Sequence, residues 1–108
     1  MLTLPSEYAE AVLDIVERIP PGRVMTYGMI AEILRDHLGR GSARTVGTVM
    51  SRYGGGVPWH RVVASNGRLP PGHETEAHAR LLSEAVPFRG EHVVVAVARW
   101  WPEDNTPA

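Results

Sequence analysis

The sequence predicts a mainly α-helical protein, a winged helix-turn-helix with a small β-hairpin. Three observations predict it. Apolar residues recur at helical spacing in several segments, and a short turn with two glycines joins two of those segments. The pair Asn66-Gly67 is typical of a two-residue hairpin turn. With 108 residues, the chain is expected to form a single domain, 1–108, around one modest core.

A first helix is predicted between Ser6 and the Pro20-Pro21-Gly22 turn. Apolar side chains recur along it at Tyr8, Val12, Ile15, Val16 and Ile19. Ser6 is a good N-cap because its hydroxyl can accept a hydrogen bond from a free backbone N–H of the first turn. The two prolines and the glycine end the segment.

Two further helices form the predicted helix-turn-helix, at about residues 27–53. The second helix runs from about Tyr27 to Leu38, with Thr26 as its cap and Gly39 at its end. Its apolar face consists of Ile30, Ile33, Leu34 and Leu38. After the turn 39–42, Ser42 caps a third helix, 43 to about 53, whose buried stripe is Val46, Val49 and Met50.

The next segment carries the predicted wing. The glycine run 54–56 ends the third helix, so the motif Pro58-Trp59-His60-Arg61-Val62 is expected on a loop or short extended segment. Asn66-Gly67 predicts a hairpin that folds residues 62–65 back against Arg68-Leu69.

Two elements complete the predicted fold. A fourth helix is expected from about Glu74 to Glu84, with Ala77, Leu81 and Leu82 facing inward. The β-branched run 93–98 predicts a strand or extended tail that packs on the core and ends at Trp100-Trp101.

Composition limits the classes of function. The sequence has no cysteine, which rules out disulfides and thiolate metal sites, and its five histidines match no metal-ligand spacing. No apolar run nears the roughly 20 residues that span a bilayer, and residues 1–5 show no secretory signal. We therefore expect a monomer in the cytoplasm, nucleoid-associated if the source is bacterial, with no membrane association, no metal and no cofactor.

The distribution of charge favours a nucleic-acid partner, although the formal net charge is −1. From His37 to His73 there is no acidic residue, while the same stretch contains Arg40, Arg44, Arg52, Arg61 and Arg68. Acidic residues gather instead in the first helix and in the tail, at Glu103 and Asp104. Such a separation suits a face that meets phosphates; an ordinary solvated face is the alternative.

Three sequence blocks together resemble one protein family. They are Ile19-Pro20-Pro21-Gly22-Arg23-Val24 with Thr26-Tyr27-Gly28 and Ile30-Ala31, then Ala43-Arg44-Thr45-Val46-Gly47, then Pro58-Trp59-His60-Arg61-Val62-Val63. This order resembles the O6-alkylguanine-DNA alkyltransferases, whose third block reads Pro-Cys-His-Arg-Val and whose cysteine accepts the alkyl group. Trp59 stands at the place of that cysteine, and an indole nitrogen cannot replace a thiolate nucleophile because its lone pair belongs to the aromatic ring. The chain is therefore similar to the alkyltransferase-like proteins, non-catalytic relatives that bind alkylated guanine without repairing it.

The resemblance implies binding to double-stranded DNA that contains O6-alkylguanine. Tyr27 matches the tyrosine that helps rotate the damaged nucleotide out of the helix, and Arg44 matches the arginine finger that fills the vacated stack. The neighbours of Arg44 are small and would let the helix approach the minor groove: Ala43, Thr45, Gly47 and Thr48. Without the family, Tyr27 could equally be a core aromatic and Arg44 a phosphate-binding or solvated residue.

The resemblance also implies an alkylguanine pocket, bordered by Tyr27, Met50, Trp59, His60, Arg61, Val62 and Arg68. Trp59 would offer an apolar surface to the alkyl group, or would alternatively fill the core. Because no thiol is present, His60 is expected to make a structural hydrogen bond. Arg68 is the candidate for closing over the base. Glu84 stands one place early for the family's Leu-Leu-x-x-Glu pattern, so no role is predicted for it.

Two other functions are compatible with parts of the sequence. A winged-helix transcription regulator would read sequence in the major groove and bind independently of alkylation. A hydrolase or residual transferase would use His60 as a base, but no orienting carboxylate follows within the motif and nearby nucleophiles are limited to hydroxyls such as that of Ser65. We therefore expect no enzymatic activity; the resemblance implies that the lesion is handed to nucleotide excision repair proteins.

Overall fold

The computed structural model describes residues 6–102, which form five α-helices and four strands of two residues each. The helices are α1 Glu7–Arg18, α2 Tyr27–Leu38, α3 Ala43–Tyr53, α4 Glu74–Ser83 and α5 Val95–Ala98. The strands are β1 Met25–Thr26, β2 Val62–Val63, β3 Phe88–Arg89 and β4 His92–Val93. Within residues 6–102, no helix has the length and apolar character needed to cross a bilayer. The interpretations of residues 1–5, Glu103 and Asp104 lie outside the described residues.

The first three helices confirm the predicted segments and caps. The hydroxyls of Ser6, Thr26 and Ser42 each accept a hydrogen bond from a backbone N–H in the first turn of α1, α2 and α3, respectively. Gly39 ends α2 in the left-handed conformation. The predicted apolar faces of the three helices meet in one core, with Ile33, Leu38 and Met50 only partly buried at its edge.

A parallel pair of strands lies between two cores. Met25 pairs with Val62, and Thr26 pairs with Val63. Met25 and Val62 point into the core formed with α1–α3, whereas Val63 points into a second core under α4. Because β1 leads directly into α2 and β2 directly follows the Pro58–Arg61 motif, this pairing brings the start of α2 beside the motif.

The predicted position of the hairpin is wrong. The turn at Asn66 does form, with the Gly67 N–H donating to the Ala64 carbonyl (2.8 Å) and the Ala64 N–H to the Arg68 carbonyl (2.9 Å), but no ribbon extends from it. Val62 and Val63 pair with β1 instead, because both are fully buried between the two cores. The antiparallel hairpin of the described residues is β3–β4, joined through Gly90.

The last two predicted elements need smaller corrections. Helix α4 confirms the fourth segment, and Ala77 and Leu81 are fully buried, but Leu82 is 52% exposed and does not face inward. The run 93–98 is not a strand: Val93 ends β4, and Val95–Ala98 forms the short helix α5. Its packing on the core is confirmed, since Ala98 is buried and Trp100 joins the α1–α3 core.

The α2–α3 turn generates a test of how tightly the helix-turn-helix is docked on α1. Gly39 and Gly41 both have positive φ, +73° and +123°, but only at Gly41 would a Cβ overlap the Tyr8 hydroxyl, which is hydrogen-bonded to Thr45 of α3. Gly41→Ala should therefore lower the free energy of unfolding by about 2–4 kcal/mol. Gly39→Ala, where the Cβ meets open space, should lower it by only about 1 kcal/mol. Urea unfolding of both variants measures the difference. Equal losses of unfolding free energy would contradict the close contact between the α2–α3 turn and Tyr8.

Candidate functional site

A cavity of about 820 Å³ lies between α3, the Trp59 turn and the segment 68–73. This volume is within the range of roughly 300–1,000 Å³ that is usual for small-molecule sites. Seven of the residues predicted for the pocket or the DNA contact line it together: Tyr27, Ala43, Arg44, Gly47, Met50, Trp59 and Arg68. Arg68 lines it from the segment proposed to close over the site.

One face of α3 forms a wall of the cavity. Ala43, Gly47 and Ser51 follow one another at four-residue spacing, so their small side chains lie on the same side of the helix. Arg44 is exposed and lines the cavity beside them. Thr45 and Thr48, also predicted to contact DNA, do not line the cavity. Their hydroxyls are already hydrogen-bonded within the protein. That of Thr45 bonds to the Ser42 carbonyl and to the Tyr8 hydroxyl of α1, and that of Thr48 donates to the Arg44 carbonyl.

Tyr27 is the first residue of α2 and is held in place by the β1–β2 pair and the Thr26 cap. Its side chain is partly buried, and burial raises the pKa of its hydroxyl. The phenol therefore keeps its proton at neutral pH and can donate a hydrogen bond into the cavity.

Trp59 begins a short 3₁₀ turn, Trp59–Arg61, and not the loop or extended segment that was predicted. Its ring is half-buried among three nitrogen-bearing side chains. His73 lies 5.5 Å away between ring centroids, and His60 lies 6.0 Å away in an edge-on arrangement. The Arg80 guanidinium lies over the indole at 5.4 Å and forms an ion pair with Glu76 one turn earlier in α4. The indole thus contacts His60, His73 and Arg80 while it still lines the cavity.

Glu84, at the C-terminal end of α4, binds both residues that follow Trp59. Its carboxylate accepts hydrogen bonds from Arg61 Nε (3.0 Å) and from a terminal guanidinium nitrogen (2.8 Å), and lies 2.9 Å from His60 Nε2. It also accepts the Gly22 N–H (3.2 Å), while Arg61 donates to the Ile19 carbonyl. All three of these charged or titratable side chains are at most 15% exposed.

The charge of Glu84 is stabilised by these contacts. Desolvation alone would raise the pKa of its carboxyl, but the hydrogen bonds from Arg61, His60 and the Gly22 N–H outweigh it and lower that pKa from 4.5 to about 2. An ionised carboxylate only accepts hydrogen bonds, so His60 Nε2 must be the donor. The expected structural hydrogen bond of His60 is therefore present.

The side chains of His60, Arg61 and Val62 do not line the cavity, in contrast to the prediction. His60 and Val62 are buried and Arg61 is directed to Glu84, so the three support the cavity wall from behind. His60 Nδ1 is also buried and has no hydrogen-bond partner among residues 6–102. Within that range, no three side chains gather as a metal site would require.

Sequence reasoning missed several residues of the site. The sequence predicts no role for Glu84, because its spacing from Leu81-Leu82 is one residue short of the family pattern, yet it forms the carboxylate partner of His60 that the motif lacks. Ser51 could have been found from the four-residue spacing of small side chains in α3. His73 and Glu76 line the cavity without a local signal, since it is the path of the 68–73 segment that brings them there.

The arginines around the cavity fall into two groups. Arg61 and Arg80 are neutralised by Glu84 and Glu76. Arg44 and Arg68 line the cavity, are exposed and form no ion pair within residues 6–102. The cavity rim therefore carries net positive charge, which suits a polyanionic partner.

Comparison with known proteins identifies the family of the chain. The family described as "6-O-methylguanine DNA methyltransferase, DNA binding domain" matches residues 7–86. A protein named "DNA base-flipping protein" from Escherichia coli (strain K12) is 36% identical over 88 residues, which are 77% of this chain and 65% of the relative. A protein of the same name from Shigella flexneri gives the same values. The chain thus spans slightly under two thirds of the length of these curated relatives.

Solved structures show the same fold. S. pombe Atl1 in complex with damaged DNA containing O6-carboxymethylguanine superposes with a TM-score of 0.71 at 30% identity, over 93% of this chain and 100% of that chain. S. pombe ATL in complex with DNA gives a TM-score of 0.68 at 29% identity, with the same coverage. These likenesses confirm the predicted fold class.

The Glu84 contacts predict a specific dependence of stability on acid. Because the folded-state pKa lies below the ordinary value, the stabilisation is fully present above about pH 4.5 and is lost as the pH falls towards 2. Glu84→Gln should lower the free energy of unfolding at neutral pH by up to about 3 kcal/mol. It should also flatten the acid decline, as measured by urea unfolding between pH 7 and pH 2. Glu17→Gln, on the exposed face of α1, serves as the control and should follow the wild-type curve; parallel curves for Glu84→Gln would contradict the buried ion pair.

Proposed function

The chain belongs to the family of the 6-O-methylguanine DNA methyltransferase DNA-binding domain, and from this we propose that it recognises O6-alkylguanine in duplex DNA by base flipping. The damaged base would leave the helix, enter the cavity and be held there without alkyl transfer. The observation that carries the proposal is the joint lining of one cavity by Arg44, on the exposed face of α3, and by Trp59. The name "DNA base-flipping protein" of the curated relatives supports it.

Helix α3 would dock on the DNA. Its first turn exposes Ala43, Arg44 and Thr45, and small side chains allow a helix to approach a groove closely. Thr48, one turn further, is also exposed. Because Arg44 lines the cavity mouth, a guanidinium that entered the base stack would stand next to the space where the extruded base is received. A planar cation can stack between bases and hydrogen-bond the orphaned partner base.

Tyr27 and Trp59 would act on the extruded nucleotide. The Tyr27 hydroxyl, protonated at neutral pH, can donate to a base edge or phosphate during extrusion. The indole of Trp59 offers an apolar surface to an alkyl group, which would favour O6-alkylguanine over guanine. Met50 contributes a second apolar wall.

We further propose that the protein is not an enzyme. In the motif, Trp59 stands where an alkyltransferase has its cysteine, and the chain has no cysteine to replace it. Glu84 does supply the orienting carboxylate that a general-base His60 would need, but the residue that precedes His60 provides no nucleophile. A monomer that binds a lesion without removing it would mark that lesion for other proteins. The proposal includes transfer of the lesion to nucleotide excision repair proteins.

Replacement of Arg44 tests the finger assignment. Arg44→Ala should weaken binding to a duplex with one O6-methylguanine by at least about tenfold, the equivalent of 1.4 kcal/mol. Fluorescence anisotropy at fixed salt measures this affinity. Arg52→Ala is the matched control, since it removes an exposed arginine from the same helix that does not line the cavity; a loss for Arg44→Ala within about twofold of the control would show that Arg44 is only a phosphate contact.

Replacement of Trp59 tests the pocket. Trp59→Ala should reduce the ratio of affinities for O6-methylguanine and guanine duplexes by about tenfold, because the apolar contact with the alkyl group is lost.

Mass spectrometry of the wild-type protein after long incubation with excess damaged duplex should show no added methyl group. A mass increase would contradict the non-enzymatic proposal, and equal affinity of the wild type for both duplexes would favour a regulator that ignores alkylation.

A further inference from the structure

We propose that the cavity selects lesions by the charge of the O6 substituent, and that Arg68 is the residue that determines this selection. Substituents that end in a carboxylate would be preferred over neutral substituents of the same shape, and substituents that end in an amine would be disfavoured. This inference rests on the proposed function, since it concerns the adduct of a base that has entered the cavity.

The backbone of Arg68 is held by hydrogen bonds, whereas its side chain has no ionic partner within residues 6–102. Its N–H donates to the Asn66 side chain (3.1 Å), and its carbonyl accepts the Ala64 N–H (2.9 Å). Pro70 and Pro71 stiffen the chain immediately after it. The side chain is exposed and forms no ion pair with any acidic residue in 6–102. Its guanidinium is therefore available to a ligand without the loss of an existing salt bridge.

Of the arginines near the cavity, Arg68 is the one whose guanidinium can bind the O6 substituent, because the others have different partners. Arg44 is committed to the duplex under the proposed function, and Arg80 is paired with Glu76. Glu76 is the acidic residue that lines the cavity within the described range, and the same pair neutralises it. A carboxylate in the cavity would therefore meet Arg68 without a competing free carboxylate on the cavity wall.

The position of Arg68 allows it to reach a substituent beyond the base. Arg68 and Leu69 line the main cavity and also a second one of about 500 Å³, so they form the wall between the two. Glu74 and Glu91 line the second cavity but form no ion pair with Arg68. The main cavity, about 820 Å³, lies near the upper end of the range for whole drug-sized ligands and so leaves space beside a single purine.

Guanidinium chemistry supports selection for carboxylates. An arginine donates two parallel N–H groups that match the two oxygens of a carboxylate, and a charge-assisted pair is about twice as strong as a neutral hydrogen bond. A carbamoyl group has nearly the same shape but offers one neutral acceptor. An ammonium group would instead be repelled by the unpaired cation.

The test compares affinities within each protein variant, so that a general loss of DNA binding cancels. Duplexes of one sequence carry guanine, O6-methylguanine, O6-carboxymethylguanine, O6-(carbamoylmethyl)guanine or O6-(2-aminoethyl)guanine, and anisotropy is measured at fixed salt. For the wild type, the carboxymethyl duplex should bind about tenfold more tightly than the carbamoylmethyl duplex, and the aminoethyl duplex should be the weakest of the lesions. Arg68→Gln should bring the carboxymethyl to carbamoylmethyl ratio to within about twofold of unity, and Arg68→Lys should keep part of it.

Arg52→Gln is the matched control, because it removes an exposed arginine that does not line the cavity. It should keep the wild-type ratio even if it weakens binding to every duplex. A wild-type ratio near unity, or a ratio that Arg68→Gln leaves unchanged, would overturn this inference alone while the preference for O6-methylguanine over guanine stands. Equal binding of the methylguanine and guanine duplexes would overturn the proposed function, and this inference with it.

Discussion

The largely buried carboxylate of Glu84, 15% exposed, is the contact on which the cavity depends. It joins the end of α4 to the motif through Arg61 and His60, and to the loop before β1 through the Gly22 N–H. Since Trp59 directly precedes His60, the same contacts limit where the indole can lie. Loss of the carboxylate would leave the Arg61 charge without its partner at 14% side-chain exposure, and an uncompensated buried charge is strongly destabilising. His60 and Arg61 therefore have a structural role that does not depend on a thiol.

The helices were predictable because their signals are local. Helical spacing of apolar residues and the caps Ser6, Thr26 and Ser42 locate α1–α3 to within about a residue. The strands were not, because two residues are too few to show a period, and β1 and β2 are in addition distant from each other in sequence. The turn at Asn66 formed as its residues indicate, but β2 joined β1 because two fully buried valines gain more between two cores than on an exposed ribbon.

The site was predictable to the extent that it lies on family motifs. Tyr27, Arg44 and Trp59 were assigned from three blocks separated along the sequence, and they line one cavity. The error over His60 and Arg61 has a physical reason, since neighbours in a motif need not face the same side when the motif forms a 3₁₀ turn. The role of Glu84 was not predicted because the family pattern has a fixed spacing, whereas a carboxylate at a helix end can reach its partner from either neighbouring position.

A cavity formed before the base arrives changes the energetics of lesion recognition. Extrusion of a base costs a few kcal/mol of stacking and pairing, and least for a damaged base whose pairing is already impaired. If the receiving cavity also had to form, that free energy would be added for every base and would weaken binding without improving selectivity. Here the Trp59 wall is already held by His60, His73 and Arg80, and Arg80 is held in turn by Glu76. Under the proposed function, binding energy could then be used for contacts that only the modified base makes, so the contacts behind the indole would serve discrimination as well as stability.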